Sequence, residues 1–119
     1  MAQHNELGKK GEELALELLE KKGYFIRDKN WRYQKAEVDI IAQQGDILAV
    51  VEVKTRSSTD FGDPQDFVNP KKIKLLVTAI DEYVNSKELD VEVRFDIIAI
   101  VKEGARFNIE HIEDAFYHF

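Results

Sequence analysis

The fold of this chain is decided by the segment from residue 36 to residue 54, which reads AEVDIIAQQGDILAVVEVK. Two stretches rich in Val and Ile, residues 37–43 and 47–54, flank the pair Gly45-Asp46. Such a pair suits a two-residue turn, with glycine at the position that needs a positive φ. The segment therefore predicts a β-hairpin.

The turn also fixes the register of this hairpin. With Gln44 opposite Ile47, Asp39 faces Glu52 and Glu37 faces Lys54. Because side chains alternate along a strand, one face of the hairpin should carry all four of these groups. The same face carries the apolar side chains of Ile41, Leu48 and Val50. Opposed carboxylates repel each other, so a pair beside apolar neighbours either raises a pKa or recruits a cation.

This arrangement predicts a divalent-metal site for phosphodiester hydrolysis. Mg²⁺ binds through one or two carboxylates, which would be Asp39 and Glu52, and takes water and phosphate oxygens as its other ligands. Lys54, on the same predicted face, can orient the attacking water or stabilise the charged transition state. By itself Glu52-Val53-Lys54 is an ordinary strand end, and Glu37 with Lys54 an ordinary ion pair. The acid opposite Glu52 makes the functional interpretation the better one.

Outward from the hairpin, the sequence predicts a single domain over residues 1–119. Asn5 should cap a helix that ends at Gly23, with Gly8 and Gly11 permitting close approach of another backbone. Residues 24–31 read as a strand and residues 55–68 as a mobile loop. Asn69 and Pro70 open a second helix, and residues 91–101 and 107–112 are further strands. The order αβββαββ predicts an α/β fold with one mixed sheet covered by helices.

The net charge of −6 is unevenly distributed. Residues 1–74 contain 13 Lys/Arg and 13 Asp/Glu, whereas residues 75–119 contain 4 and 10. A nucleic-acid surface should therefore be local and formed by the first two thirds, with salt-sensitive affinity. The longest apolar run, residues 47–51, is too short to cross a bilayer, and a cytoplasmic location is the expectation. Without cysteine, disulfides and thiolate metal sites are excluded.

Several motifs together give a family resemblance. Asp39 followed by Glu52-Val53-Lys54 looks like the Asp…Glu-x-Lys core of the PD-(D/E)xK nuclease superfamily. Nearly the full chain resembles the YraN-like bacterial proteins, which are related to archaeal Holliday-junction resolvases. The other matching segments lie at residues 8–15, 23–24, 30–32, 37–42, 51–56 and 94–96, with Val68 and Lys72.

The resemblance implies a restriction-endonuclease-like sandwich and a nuclease that uses Mg²⁺ or Mn²⁺ on DNA, branched DNA included. It implies that Asp39 and Glu52 bind the metal and that Lys54 is the catalytic lysine. It also points to Glu12, on the first helix, as a further acid of the site, although adjacent Glu13 is not excluded. A solvated acid in a first helical turn explains either of these nearly as well. Resolvase-like enzymes commonly act as dimers, so a homodimer is a further expectation.

Other charged residues are candidates for nucleic-acid contacts. Arg56 leaves the strand on the predicted active face, and Arg32 lies beside Trp31, which we interpret as a core or rim aromatic. Three lysines, Lys71, Lys72 and Lys74, open the second helix against its dipole, which a phosphate partner would explain as well as a solvated face does. Asp96 reads as a buried, hydrogen-bonded acid. Solvation is the better interpretation of His4, His111 and His118.

Two interpretations from other functional classes remain open. In the first, the chain is a nucleic-acid-binding module that keeps the fold and the acids without turnover. In the second, it is an interaction protein whose acidic end binds a basic partner. The first predicts salt-sensitive binding that does not depend on Asp39. The second predicts that a partner is lost when surface acids such as Glu110, Glu113 and Asp114 are removed.

Overall fold

The computed structural model describes residues 2–57 and 69–115, with side chains from Glu6 onward. Its element order confirms the prediction αβββαββ. The elements are α1 (Ala2–Lys21), β1 (Phe25–Tyr33), β2 (Ala36–Gln44), β3 (Ile47–Ser57), α2 (Pro70–Ser86), β4 (Glu92–Glu103) and β5 (Arg106–Ile112). Strand β3 continues three residues beyond its predicted end at Lys54. The rest of the predicted loop, residues 58–68, lies outside the described residues.

The strands form one five-stranded mixed sheet, in the order in which they occur along the chain. The pairs β1–β2, β2–β3 and β4–β5 are antiparallel, and β3–β4 is parallel. Helices α1 and α2 cover opposite faces, which gives the predicted α/β sandwich. Within the described segments, no helix is long and apolar enough to span a membrane.

Each face of the sheet has its own apolar core. The α1 face buries Ala15, Leu19, Tyr24, Ile40, Ala42, Ala49, Val51, Ile98 and Ile100. The α2 face buries Val38, Ile41, Leu48, Val50, Ile73, Leu76, Ile80, Tyr83, Ile97, Ala99 and Ala115. Strands β2, β3 and β4 contribute to both cores, which explains the near-continuous apolar runs in their sequences.

The ends of the two helices differ in how well the sequence predicted them. Helix α1 already includes Ala2, so the predicted cap at Asn5 is wrong. Its C-terminus is confirmed, because Gly23 adopts a φ of 93° and donates to the Glu20 carbonyl while Tyr24 donates to the Leu19 carbonyl. This pair of bonds is a Schellman motif.

The predicted start of α2 is confirmed in detail. The Asn69 side chain accepts a hydrogen bond of 2.8 Å from the Lys72 backbone N–H, and Pro70 follows at the first helical position. This cap satisfies one of the backbone donors that a helix start leaves unpaired. It also fixes the backbone of Lys72, whose side chain contacts Glu52.

Strands β1 and β2 do not alternate regularly. Val38 packs in the α2 core and Ile40 in the α1 core, although they are two residues apart. Alternation is therefore broken at Asp39. On the neighbouring strand, Asn30 has a positive φ of 50°, and the pairs Lys29–Ile40 and Trp31–Val38 lie on either side of this break.

Asp96 confirms its prediction as a buried, hydrogen-bonded acid. It is fully buried, and its carboxylate accepts from Arg94 at 2.8 and 2.9 Å, from His111 at 2.8 Å and from the Asp114 N–H at 3.1 Å. Burial alone would raise the pKa of Asp96, but the bonds from His111, Arg94 and Asp114 together lower it below the ordinary value.

The prediction that His111 is solvated is wrong. Its side chain is 2% exposed, and its ring contacts Asp96 on one side and Lys22 on the other, each at 2.8 Å. The pairing of Ile98 with His111 brings the ring over the α1 face beside Asp96. His4 and His118 lie outside the described side chains.

The two glycines of α1 play different roles. A Cβ at Gly11 would lie 1.9 Å from the Thr55 Oγ1, so only glycine allows α1 to lie this close to β3. The predicted close approach is thus confirmed at Gly11, where a side chain rather than a backbone is the neighbour. It is wrong at Gly8, whose surroundings are open within 4 Å.

We predict opposite effects for alanine at these two glycines. Gly8→Ala should stabilise the protein by about 0.5–1 kcal/mol, because alanine has the higher helix propensity and meets no neighbour. Gly11→Ala should lower the free energy of unfolding, by about 1–3 kcal/mol, because α1 must move away from Thr55. Urea unfolding of both variants measures the difference. Equal effects would contradict the contact.

We also predict that Asp96→Asn costs about 3–5 kcal/mol at pH 7, because it leaves Arg94 without its buried counter-ion. The folded-state pKa of Asp96 is lowered, so its stabilising effect is present above the unfolded value of 3.8 and is lost as the pH falls below it. The difference from wild type should therefore shrink in acid. Exposed Asp90, changed to Asn, is the matched control and should shift stability by less than about 0.5 kcal/mol.

Candidate active site

The register predicted for the hairpin is confirmed from Gln44–Ile47 to Ile40–Val51. The ladder ends there, immediately before Asp39 and Glu52. Beyond its last pair, the Asp39 Oδ2 accepts a hydrogen bond of 2.8 Å from the Val53 backbone N–H. Where the two strands stop pairing, the Asp39 carboxylate therefore accepts a backbone hydrogen bond from β3.

Two parts of the predicted hairpin geometry are wrong. Glu37 does not pair with Lys54, since its carboxylate binds Arg32 on β1 at 2.6 Å. Nor do all four charged groups share one face by simple alternation, because alternation breaks at Asp39. The β2–β3 ladder ends before it reaches Asp39 and Glu52, so it does not impose regular alternation on them.

Asp39 is the residue with a strongly perturbed carboxyl group in this region. Burial raises its pKa from 3.8 to about 7, and the nearby charges of Glu52 and Glu12 act in the same direction. The hydrogen bond from Val53 and the charge of Lys72 oppose the shift without cancelling it. Such a carboxylate is poorly compensated by the protein, and a cation is the kind of partner that would relieve it.

Glu52 has the opposite environment. It is 8% exposed, and its Oε1 contacts the Lys72 Nζ at 2.5 Å and the Lys54 Nζ at 3.3 Å. Two ammonium groups therefore meet one carboxylate oxygen. The pair of acids is asymmetric, because two lysines contact Glu52, whereas the hydrogen bond that the described residues give to Asp39 comes from a backbone N–H.

An open groove of about 660 Å³ runs along α1 and exposes Asp39 and Lys54. We call it the active groove. Its walls include Asp39 and Lys54 on the hairpin, Arg56 at the end of β3, and Gly8, Lys9 and Glu12 on α1. Glu12 is half-buried here, whereas Glu13 is exposed, so the structure selects Glu12 from the two acids. The close packing of Gly11 on Thr55 brings α1, and with it Glu12, to this groove.

A smaller groove of about 260 Å³, the inner groove, reaches the same acids from the α2 side. It is lined by Lys35 and Glu37, by Glu52 and Lys72, and by Leu75 and Leu76 of α2. Asp39 lines both grooves. The break in alternation at Asp39 accounts for this double access.

The remaining candidates for nucleic-acid contacts are spread around this centre. Arg56 lines the active groove. Lys71 and Lys74 are exposed on α2, while Arg32, 75% exposed, is paired with Glu37. Lys72 differs from our expectation of a phosphate contact or a solvated face, since its contact in the structure is with Glu52. Trp31 packs against Tyr83 at 5.1 Å between ring centres, as predicted for a rim aromatic.

Sequence reasoning missed two members of the site. It did not pair Lys72 with Glu52, although a buried acid implies a cation nearby and the cap at Asn69 fixes where the lysine begins. It also left out Lys9, which lines the active groove. The signal for Lys9 is its position one helical turn before Glu12.

The donor set suits a hard cation that retains much of its own water. In the part of the chain that the structure describes, no group of three or more acidic or histidine side chains converges as a metal cage. Asp39 and Glu52 offer two carboxylates at an open groove, which fits Mg²⁺ or Mn²⁺ with water and phosphate completing the coordination. Glu12 is near enough to influence the charge of Asp39.

We predict that Asp39→Asn stabilises the protein in the presence of a chelator. Asparagine keeps an acceptor for Val53 and removes a desolvated charge beside Glu52. The folded-state pKa of about 7 exceeds the ordinary 3.8, so wild type loses stability as pH rises from about 4 through 7. The gain should therefore be absent at pH 4 and on the order of 2 kcal/mol at pH 8. Urea titrations measure it, with exposed Asp81 changed to Asn as control.

Comparison with known proteins gives the same relationship along the whole chain. The uncharacterised protein family UPF0102 matches residues 11–100. A UPF0102 protein of Flavobacterium psychrophilum is 66% identical over 119 residues, all of both chains. Similar proteins of Flavobacterium johnsoniae and Phocaeicola vulgatus are 63% identical, over all of both chains, and 51% identical, over 98% of this chain and 97% of theirs. The chain therefore belongs to the UPF0102 family, the YraN-like proteins that its motifs resemble.

Proposed function

We propose that this protein is a metal-dependent endonuclease that hydrolyses phosphodiesters of DNA, branched DNA included. The observation that carries the proposal is the asymmetric acid pair at the end of the β2–β3 ladder. Asp39 is poorly compensated and lines the open active groove, which gives access to a long polyanion, whereas Glu52 is held by two lysines. Both acids line the inner groove. The Asp…Glu-x-Lys motif supports the same reading.

In this proposal Asp39 and Glu52 hold one or two Mg²⁺ or Mn²⁺ ions. The bound ion supplies Lewis-acid polarisation of the phosphodiester and a lowered pKa for coordinated water. Asp39 is held by the bond that its Oδ2 accepts from Val53, which orients the carboxylate. The protein thus presents the ligand without having to reorganise its backbone.

Lys54 has the position expected of the catalytic lysine. Its Nζ lies 3.3 Å from the Glu52 Oε1, and its side chain is 23% exposed, at the wall of the active groove. From there it can donate a hydrogen bond to the attacking water or to a non-bridging phosphate oxygen, where negative charge increases in the transition state. Glu12 assists from α1, and Arg56 provides a further positive charge along the same groove.

Lys72 is a further residue with a role in this proposal. Its ammonium contacts the Glu52 Oε1, so it would compete with a divalent ion held by this carboxylate. The long side chain of Lys72, once displaced, would be able to donate to a phosphate oxygen. Lys72 therefore combines the contact seen with Glu52 and the nucleic-acid contact expected from the sequence.

The same two lysines also favour the rival function, a nucleic-acid-binding module without turnover. A Glu52 that is already neutralised needs no metal, and the described residues provide no third converging acid. This module would bind DNA in a salt-dependent way, and the acids would serve only to hold the lysines.

The two functions differ in what a metal does. We expect calorimetry with Mg²⁺ and Mn²⁺, in the presence of a short DNA duplex, to show binding by wild type and its loss in Asp39→Asn. Because the pKa of Asp39 is about 7, protons compete with the metal, and affinity should increase as pH rises from 6 to 8. Equal heats for both proteins would remove Asp39 from the site.

Cleavage then separates the enzyme from the module. Lys54→Met keeps the aliphatic part of the side chain and removes its donor, so cleavage of labelled duplex and four-way DNA should fall at least 100-fold with binding retained. Lys21→Met, at an exposed lysine near the end of α1 that lines none of the grooves, is the matched control and should cleave normally. If wild type yields no product with either metal but still binds DNA, the module is the correct function.

A further inference from the structure

Basic residues of three strands meet at one end of the sheet. Ile47 of β3 pairs with Glu92 of β4 at one end, and Ser57 pairs with Lys102 at the other. The second end carries Lys54, Arg56, Lys102 and Arg106, together with Glu103.

The sheet pairing adds to an expectation drawn from the sequence. The count of charges assigned any nucleic-acid surface to residues 1–74. Lys102 and Arg106 belong to the acidic final third, yet the β3–β4 and β4–β5 pairings bring them to the same end of the sheet as Lys54 and Arg56. The basic residues at this end therefore extend across β4 and β5.

A separate groove lies at this end, which we call the far groove. It has a volume of about 490 Å³ and is lined by Glu6, Leu7 and Lys10 of α1 and by Ser57, Lys102 and Phe107. The last three form one row across the sheet, since Lys102 pairs with both Ser57 and Phe107. Among the described residues that line it, two exposed lysines face one glutamate, so this part of the lining is positive within a chain whose net charge is −6.

The active groove and the far groove flank the N-terminal half of α1. Gly8 and Glu12, one helical turn apart, line the first, whereas Leu7 and Lys10, also one turn apart, line the second. The first has β3 as its floor and the second continues to β5. A helix is about 10–12 Å across with its side chains, which is close to the ~12 Å width of a DNA major groove.

We propose that the far groove binds the phosphate backbone of a second DNA strand while the strand to be cut lies in the active groove. This rests on the proposed function and makes the substrate double-stranded or branched DNA. Lys10 and Lys102 contact phosphates, and the half-buried ring of Phe107 offers an apolar surface to sugar or base. Glu6, which lines both grooves, separates the two strands.

The test compares DNA binding with and without the two lysines of the far groove. The variant Lys10→Gln/Lys102→Gln and wild type are titrated with a labelled forked duplex and a labelled single strand of equal length, in a chelator so that nothing is cut. Fluorescence anisotropy is measured at several salt concentrations. The control is Lys21→Gln/Lys29→Gln, which makes the same change of charge at two exposed lysines that line neither groove.

We expect the far-groove variant to lose on the order of 10-fold in affinity for the fork. Its plot of log affinity against log salt should become shallower by about 2, since each phosphate contact contributes about 0.9. Affinity for the single strand and both affinities of the control should stay within about two-fold of wild type. Equal losses for fork and single strand, an unchanged salt slope, or no binding by wild type would overturn the proposal.

The same variants keep this inference distinct from the proposed function. If the far-groove variant behaves as expected while no protein cleaves DNA with Mg²⁺ or Mn²⁺, the far groove binds a second strand but the protein is not a nuclease. If Lys54→Met abolishes cleavage but the far-groove variant binds normally, the protein is a nuclease and the far groove does not bind a second strand.

Discussion

The candidate site depends on the hydrogen bond between the Val53 N–H and the Asp39 carboxylate. In an uninterrupted ladder a backbone carbonyl of β2 would take this donor, and Asp39 would be one more side chain on a strand. Because the β2–β3 pairing ends at Ile40–Val51, the carboxylate itself becomes the acceptor. That substitution holds Asp39 against β3, close to Glu52, and desolvates it. The raised pKa of Asp39 follows from this placement, through burial first and then through the nearby charges of Glu52 and Glu12.

Each helix contributes one side chain to the site. Helix α1 can lie close to β3 because Gly11 has no side chain, and this packing brings Glu12 to the active groove. Helix α2 starts at the Asn69 cap, which fixes the first turn and directs Lys72 to Glu52. The buried Asp96 network fastens the opposite end of β4, where Arg94 also contacts the Tyr24 hydroxyl just after α1. Stability is therefore concentrated away from the charged groove, as is common where a site is built from unfavourable contacts.

The sequence predicted the order of elements, the hairpin turn, its register and the start of α2, because these depend on local chemistry at Gly45, Asp46, Asn69 and Pro70. Glu12 could be named only as one of two adjacent acids, since the choice depends on how α1 packs. Three features could not be predicted. The break in alternation at Asp39 lies between the pairs Lys29–Ile40 and Trp31–Val38, next to the positive φ of Asn30. The Lys72–Glu52 contact joins residues 20 apart in sequence, and the burial of His111 requires knowing that β5 pairs with β4. The family resemblance reaches the motif residues but not these contacts.

The length of β3 also has a consequence for how DNA approaches. Strand β3 has 11 residues and is about 35 Å long at ~3.3 Å per residue, so Asp46 and Glu92 at one end lie several Debye lengths from Lys102 at the other at physiological ionic strength, where that length is about 8 Å. A polyanion that approaches the end with Lys102 is therefore largely screened from those two acids. The overall charge of −6 does not by itself set the local potential there.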